Sequence, residues 1–282
     1  MYLYRHIGVA AAFSPRLPAL LAEAARHLGQ LAPRGSLIHA GKYTADMEAR
    51  LRHVAEEAGL PEDTTIYWRE GVPDDAILRV VEQNDIDLLV AGAPEREHPL
   101  RYYLGSVARN LVREAPCSLL LFTEPRLNPV PFRRLVFVTD FSETSQIALA
   151  RAVRLAELES AEIIYVLRVL PEYGAAAAVD RAGNFPDKGM TATTMAEETA
   201  LLRDFVDAAG KTRVQIRAEC IQGHAGVVAS QFVQSVDADL LVMPSVSQHS
   251  HIFTRIFPTD MEWVLREIPC NLWVARERPP LD

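Results

Sequence analysis

The stretch Asp85-Ile-Asp-Leu-Leu-Val-Ala-Gly92 returns in the second half of the chain as Asp237-Ala-Asp-Leu-Leu-Val-Met-Pro244. Working outward, Leu111-Val-Arg-Glu-Ala-Pro-Cys117 returns as Val264-Leu-Arg-Glu-Ile-Pro-Cys270, and Gly71-Val-Pro73 as Gly223-His-Ala225. The beginning repeats as well, with His6-Ile-Gly-Val-Ala-Ala-Ala-Phe-Ser14 set against Arg134-Leu-Val-Phe-Val-Thr-Asp-Phe-Ser142. Four matches in one order mark an internal duplication. The 282 residues therefore divide into two domains of ordinary size, 1–125 and 132–278. Between them runs the proline-rich linker Thr123-Glu-Pro-Arg-Leu-Asn-Pro-Val-Pro131.

Each half alternates short apolar runs with helical periods. In the first half strands are expected at Ile7–Ala12, Leu37–Ala40, Thr64–Trp68, Leu88–Ala91 and Ser118–Phe122. After the first strand, Leu17, Leu20, Leu21, Ala24, Leu28 and Leu31 share one helical face. Further helices are expected at Ala45–Ala58, Ala76–Gln83 and Val107–Arg113. The second half repeats the order, from strand Leu135–Thr139 to strand Asn271–Ala275. Apolar strands separated by helices imply a parallel sheet covered on both faces. Right-handed crossovers make it doubly wound. The fold class is thus α/β, two doubly wound five-stranded domains of Rossmann-like type. The stretch Pro171–Thr194 has no clear period and reads as an inserted loop or lid.

Composition narrows the function classes. Apolar residues make up 49% and charged residues 23%, which suits a globular chain. The net charge of −8 leaves no basic patch for phosphate backbones, so no nucleic-acid partner is expected. No apolar run is long enough for a membrane helix, and the start MYLYRHIGVAAAF lacks a signal-peptide layout. Three scattered cysteines, Cys117, Cys220 and Cys270, point to a reducing compartment and a cytoplasmic location. Cys117 and Cys270, each after a proline and before a last strand, read as core residues.

A ligand in such a sheet sits beyond the carboxyl ends of the strands, where strand order reverses. Here that point falls between strands one and four, after Ala12 and Gly92 in one half and after Asp140 and Pro244 in the other. Gly105 and Ser106 open a helix there, and helix-start N–H groups attract anions. Ser106 either caps that helix or donates to a phosphate, with Arg101 and Arg109 near in sequence.

These residues resemble the universal stress proteins, in two copies across nearly the whole chain. Nucleotide-binding members of that family carry G-x-x-G, nine residues, then G-[S/T] after strand four, and an Asp after strand one. The first half matches at Gly92, Gly105 and Ser106 but has Glu95 and Ala12 where the second Gly and the Asp stand. The second half keeps the acid as Asp140 but reads Pro258-Thr259-Asp260 at the phosphate loop, where Pro258 offers no N–H. Thr259 with Glu262 has the form of a capping box. The resemblance implies a first-half nucleotide site at Ala12, Phe13, Ala40, Gly92, Gly105, Ser106 and Val107, with ATP or AMP as ligand. Its second-half candidates are Thr139, Asp140, Val169 and Thr259. It also implies that the last strands, Ser118–Phe122 and Asn271–Ala275, pair to make an internal pseudo-dimer and hide two apolar edges.

The remaining features read as structural. His249 and His251 lack a completing ligand set, so no metal is expected. His224 reads as part of a local turn. No Ser-His-Asp order or paired catalytic carboxylate stands in a recognisable context. The expectation is a regulatory or interaction protein with degenerate nucleotide sites, not an enzyme beyond weak ATP hydrolysis. The alternatives are an ATP-binding protein with slow hydrolysis, or a binder of another small ligand or metal in the second half. An unidentified protein partner and further homodimerisation complete the expected associations.

Overall fold

The computed structural model describes residues 2–93, 105–170, 195–244 and 270–276. The first half runs β1 (His6–Ala10), α1 (Leu17–His27), β2 (Arg34–Ala40), α2 (Ala45–Glu57), β3 (Thr65–Arg69), α3 (Pro73–Gln83), β4 (Leu88–Gly92), α4 (Ser106–Glu114) and β5 (Ser118–Phe122). The second half follows with β6 (Arg134–Val138), α5 (Glu143–Glu159), β7 (Ile163–Leu170), α6 (Met195–Asp207), β8 (Gln215–Gln222), α7 (Ala225–Ser235), β9 (Leu240–Pro244) and β10 (Asn271–Ala275). The expected insertion 171–194 lies outside the described residues.

Several boundaries differ from those expected, β2 for example beginning at Arg34 rather than Leu37, and two of the differences have evident reasons. The first strand ends at Ala10 rather than Ala12, because after the Ala11 N–H bonds to the Ile38 carbonyl at 2.9 Å the chain leaves the ladder. α3 begins at Pro73 rather than Ala76, since proline in the first turn sacrifices no helical hydrogen bond. The repeated glycine before that helix is dictated by backbone shape: Gly71 has φ 141° and Gly223 φ 146°, a region closed to side chains.

The strands form one ten-stranded sheet in the order β3-β2-β1-β4-β5-β10-β9-β6-β7-β8. All described pairings are parallel except β5 with β10, which run antiparallel with Leu272 opposite Leu121 and Trp273 opposite Leu120. The two last strands thus join the halves into the expected pseudo-dimer. Two apolar layers cross the join. One face packs Leu20, Leu21 and Leu37 of the first half with Leu149, Phe137 and Trp273 of the second. The opposite face packs Ile77, Leu111 and Leu119 with Val233, Leu241 and Leu272. Trp273 is fully buried and its Nε1–H donates to the Tyr4 hydroxyl at 3.0 Å, across the two halves.

Candidate functional site

β1 lies beside β4, with β2 and β5 on their outer sides, so the crossovers depart in opposite directions from this pair. Beyond the carboxyl ends of these strands lies a cavity of about 490 Å³. Small side chains make the room: Ala10, Ala11 and Ala12 leave β1, Ala40 ends β2, and Ala91, Gly92 and Ala93 end β4. Ile38, Leu20 of α1 and Ile77 of α3 give it apolar walls.

α4 closes the remaining side through Gly105, Ser106, Val107 and Ala108. Gly105 takes the cap position with extended backbone, φ −61° and ψ 162°, and no side chain caps the helix. Ser106 is therefore the first helical residue and not the cap, which corrects one of its two readings. The first N–H groups of a helix lack intrahelical acceptors and carry its positive dipole end, so they suit an anion. Among the described lining residues Arg16 is the one charged group. Its Nη1 donates to the Thr123 carbonyl at 3.0 Å, which holds the side chain beside the cavity.

Six of the seven first-half candidates, Ala12, Ala40, Gly92, Gly105, Ser106 and Val107, line this cavity. Phe13 is not among the lining residues. Its ring stands 5.0 Å from His39, whose own ring lies 4.6 Å from Trp68. His39 Nδ1 donates to the Ala11 carbonyl at 2.7 Å and fixes the end of β1 from below. Arg109 sits on α4 away from the lining, and its buried Nε has no hydrogen-bond partner among the described residues. Glu95 and Arg101 lie outside the described residues. The sequence reading missed Arg16, Leu20 and Ile77. Arg16 had a usable signal, since it stands in the segment that joins β1 to α1.

The second half uses its counterpart residues differently. Asp140 Oδ1 accepts from Ser142 N at 2.9 Å and from Ser142 Oγ at 2.6 Å. Ser142 Oγ in turn accepts from Ser145 N at 3.1 Å and caps α5. Thr139, almost fully buried, accepts from Phe141 N at 3.0 Å and shares a hydrogen bond with Ser145 Oγ at 3.1 Å. These side chains build a helix start. Phe141 sits there at φ 64°, a strained conformation for a bulky residue. Its ring is held by the Arg168 guanidinium 4.7 Å away and by Phe205 at 5.6 Å. Val169, on β7, is buried in the same core layer as Leu241 and Leu272. Thr259, Pro258, Asp260, Glu262, His249 and His251 lie outside the described residues. His224 takes the cap position of α7.

The cysteines are free thiols, with Cys117 and Cys270 buried. Burial pushes both thiols up, Cys117 to about 12, which leaves them unreactive. No cluster of three or more metal-binding side chains occurs among the described residues, and no described helix is long and apolar enough to cross a membrane.

The profile of the Universal stress protein family matches residues 3–123 and again 131–276. A universal stress protein of Methanocaldococcus jannaschii is 32% identical over 77 residues, which cover 27% of this chain and 44% of that protein. The match thus spans less than half of the curated relative's length. A universal stress protein structure from Archaeoglobus fulgidus superposes with TM-score 0.70 at 15% identity, covering 97% of this chain and 98% of that one. A functionally unknown protein from Pseudomonas aeruginosa superposes with TM-score 0.69 at 17% identity, covering 98% of this chain and 93% of that one. At such identities the superpositions show a shared fold. The paired family matches, one to each half of the ten-stranded sheet, carry the assignment: the chain belongs to the universal stress protein family.

Proposed function

We propose that this universal stress protein is a regulatory or interaction protein whose first-half cavity takes an adenine nucleotide, ATP or AMP. The observation that carries this reading is the cavity at the reversal of strand order, bordered by the uncapped start of α4. Its volume of about 490 Å³ falls within the usual range for small-molecule sites. Apolar walls at Leu20, Ile38 and Ile77 suit a base, while the amides of Gly105, Ser106 and Val107 and the Arg16 guanidinium suit phosphate.

Binding is favoured over hydrolysis. The described lining holds no carboxylate, histidine or cysteine to act as a base. The two units of this reading are residues 1–125 and 132–278, and in the second Asp140 serves the start of α5. Nucleotide would then alter the surface that a protein partner meets. Three free thiols support a reducing, cytoplasmic setting.

The test starts with denaturing the purified protein and weighing what it releases, followed by calorimetric titration with ATP and AMP. Gly105→Pro is the informative variant. The φ of −61° at Gly105 already suits proline, so the change removes an N–H while leaving the helix start intact. Nucleotide affinity is expected to fall at least tenfold with unchanged melting temperature. Undiminished binding by Gly105→Pro would show that phosphate is not held at α4.

A further inference from the structure

The second half of the chain reaches the first-half site through the far end of α4. β10 pairs with β5, and the residue after it, Arg276, extends to the carboxyl end of α4. Its Nη2 donates to the carbonyl oxygens of Val112 at 2.6 Å and Arg113 at 3.1 Å. Its backbone is fixed as well. The Arg276 N–H donates to Ser118 Oγ at 3.0 Å, and Ser118 Oγ donates to the Arg276 carbonyl at 3.3 Å. Arg151 of α5 donates to that same carbonyl at 2.7 Å.

The last carbonyls of a helix have no partners within it, and a cation there answers both the missing donors and the negative dipole end. The last turn of α4 carries one charge of each sign, Arg113 and Glu114. Its final residue is Glu114, an acid at the unfavourable end. The helix has nine residues, so its two ends are about 13 Å apart. Between them, Asn110 Nδ2 donates to Asp74 of α3 at 2.5 Å. A rod this short, anchored at its middle and its carboxyl end, presents its amino end in a set place, and that end is Gly105 and Ser106 at the cavity.

We propose that Arg276 is a positioning residue through which the second half places α4's leading amides at the first-half cavity. The ligand assignment rests on the nucleotide reading above; the mechanism rests on the Arg276 hydrogen bonds. The first half carries no guanidinium at the counterpart position. Aligning Cys117 with Cys270 puts Thr123 at the place of Arg276. Thr123 has a short side chain, and both its N–H and its hydroxyl turn to Asn271 Oδ1, at 3.1 and 3.4 Å.

The experiment uses the full chain with Arg276→Ala, Arg276→Met and Arg276→Lys. It measures ATP affinity by calorimetry, amide hydrogen exchange across residues 106–114, and urea stability. Loss of the cation is expected to speed exchange in α4 selectively and to weaken ATP about five- to tenfold. Arg276→Lys should retain part of the affinity that Arg276→Met, with a similar stem, loses. Equal ATP affinity and unchanged α4 exchange in a folded Arg276→Ala protein would overturn the proposal. So would equal losses in Met and Lys variants that track global stability. If the unaltered protein binds no ATP, the nucleotide reading falls, and α4 exchange alone decides: faster exchange confined to α4 upholds the role of Arg276, and unchanged exchange refutes it.

Discussion

Glu159→Leu would break a heavily bonded buried charge that joins the two halves. Glu159 ends α5, and its side chain is 0% exposed. Its carboxylate accepts from Arg26 Nη1 at 2.9 Å, from Arg26 Nη2, and from the Phe132 N–H at 3.0 Å. His27 Nε2 lies 3.4 Å from its other oxygen. Arg26 and His27 belong to α1, so one carboxylate ties α1, α5 and the linker together. Burial alone would push its pKa up; hydrogen bonds from His27 and Arg26 outweigh that and hold it at about 2. A depression from 4.5 to about 2 corresponds to about 3 kcal/mol of folding stability at neutral pH. Breaking a buried pair by removing one partner costs ~3–5 kcal/mol in other proteins, so the two routes agree. For a chain of this size that lowers Tm by roughly 6–12 °C.

The sign in pH follows from the same depression. The unfolded carboxyl binds a proton more readily than the folded one, so this stabilisation is complete above about pH 4.5 and is lost as pH falls from there towards 2. Urea midpoints of the protein and of Glu159→Leu, followed by tryptophan fluorescence, should differ by a constant amount from pH 7 to 5 and converge below 4.5. Adding Arg26→Met should recover part of the loss, because it removes the stranded cation. A difference below about 1 kcal/mol at pH 7, the level of an exposed ion pair, would refute the reasoning. A difference that persists unchanged at pH 3 would refute it equally.

Two further outcomes are expected. Gly71→Ala and Gly223→Ala both force a side chain into a closed backbone region, at a cost of about 1–3 kcal/mol each. At Gly71 the nearest atom to the new Cβ is Ala76 Cβ at 4.0 Å, whereas at Gly223 it is Val228 Cγ2 at 2.5 Å. Gly223→Ala should therefore lose more in urea unfolding, and the opposite ranking would contradict this geometry. His6 is buried with Nδ1 on the Asn84 carbonyl at 3.1 Å and Nε2 beside Ser36 Oγ at 2.9 Å. Burial lowers its pKa, so the unfolded state takes the proton first. Its contribution is complete above about pH 6.5 and is lost as pH falls below that. His6→Gln should flatten the dependence of the urea midpoint between pH 6.5 and 5, and an unaltered slope would count against it.

Much of the fold could be read directly along the chain. The recurrence of Asp85–Gly92 as Asp237–Pro244 betrays a duplication, and Asp85 and Asp237 share a left-handed backbone, φ 51° and 50°. Burial period separated strands from helices, and Ser118–Phe122 and Asn271–Ala275 fell on the two strands that join the halves. The place of the cavity followed from strand order, and six of the seven first-half candidates line it. Such properties are local, or repeat locally, so neighbouring residues carry them. Partnership is different. Asp140 spends its carboxylate on Ser142, Phe13 turns to His39, Arg16 moves to the cavity edge, and Arg276 finds α4 from a position 164 residues from Val112. The Asp140 bond is local but competes with any ligand; the others depend on fractions of an ångström between elements remote in sequence, distances set by how both faces of the sheet pack at once, and that is a property of the assembled core rather than of any stretch of chain.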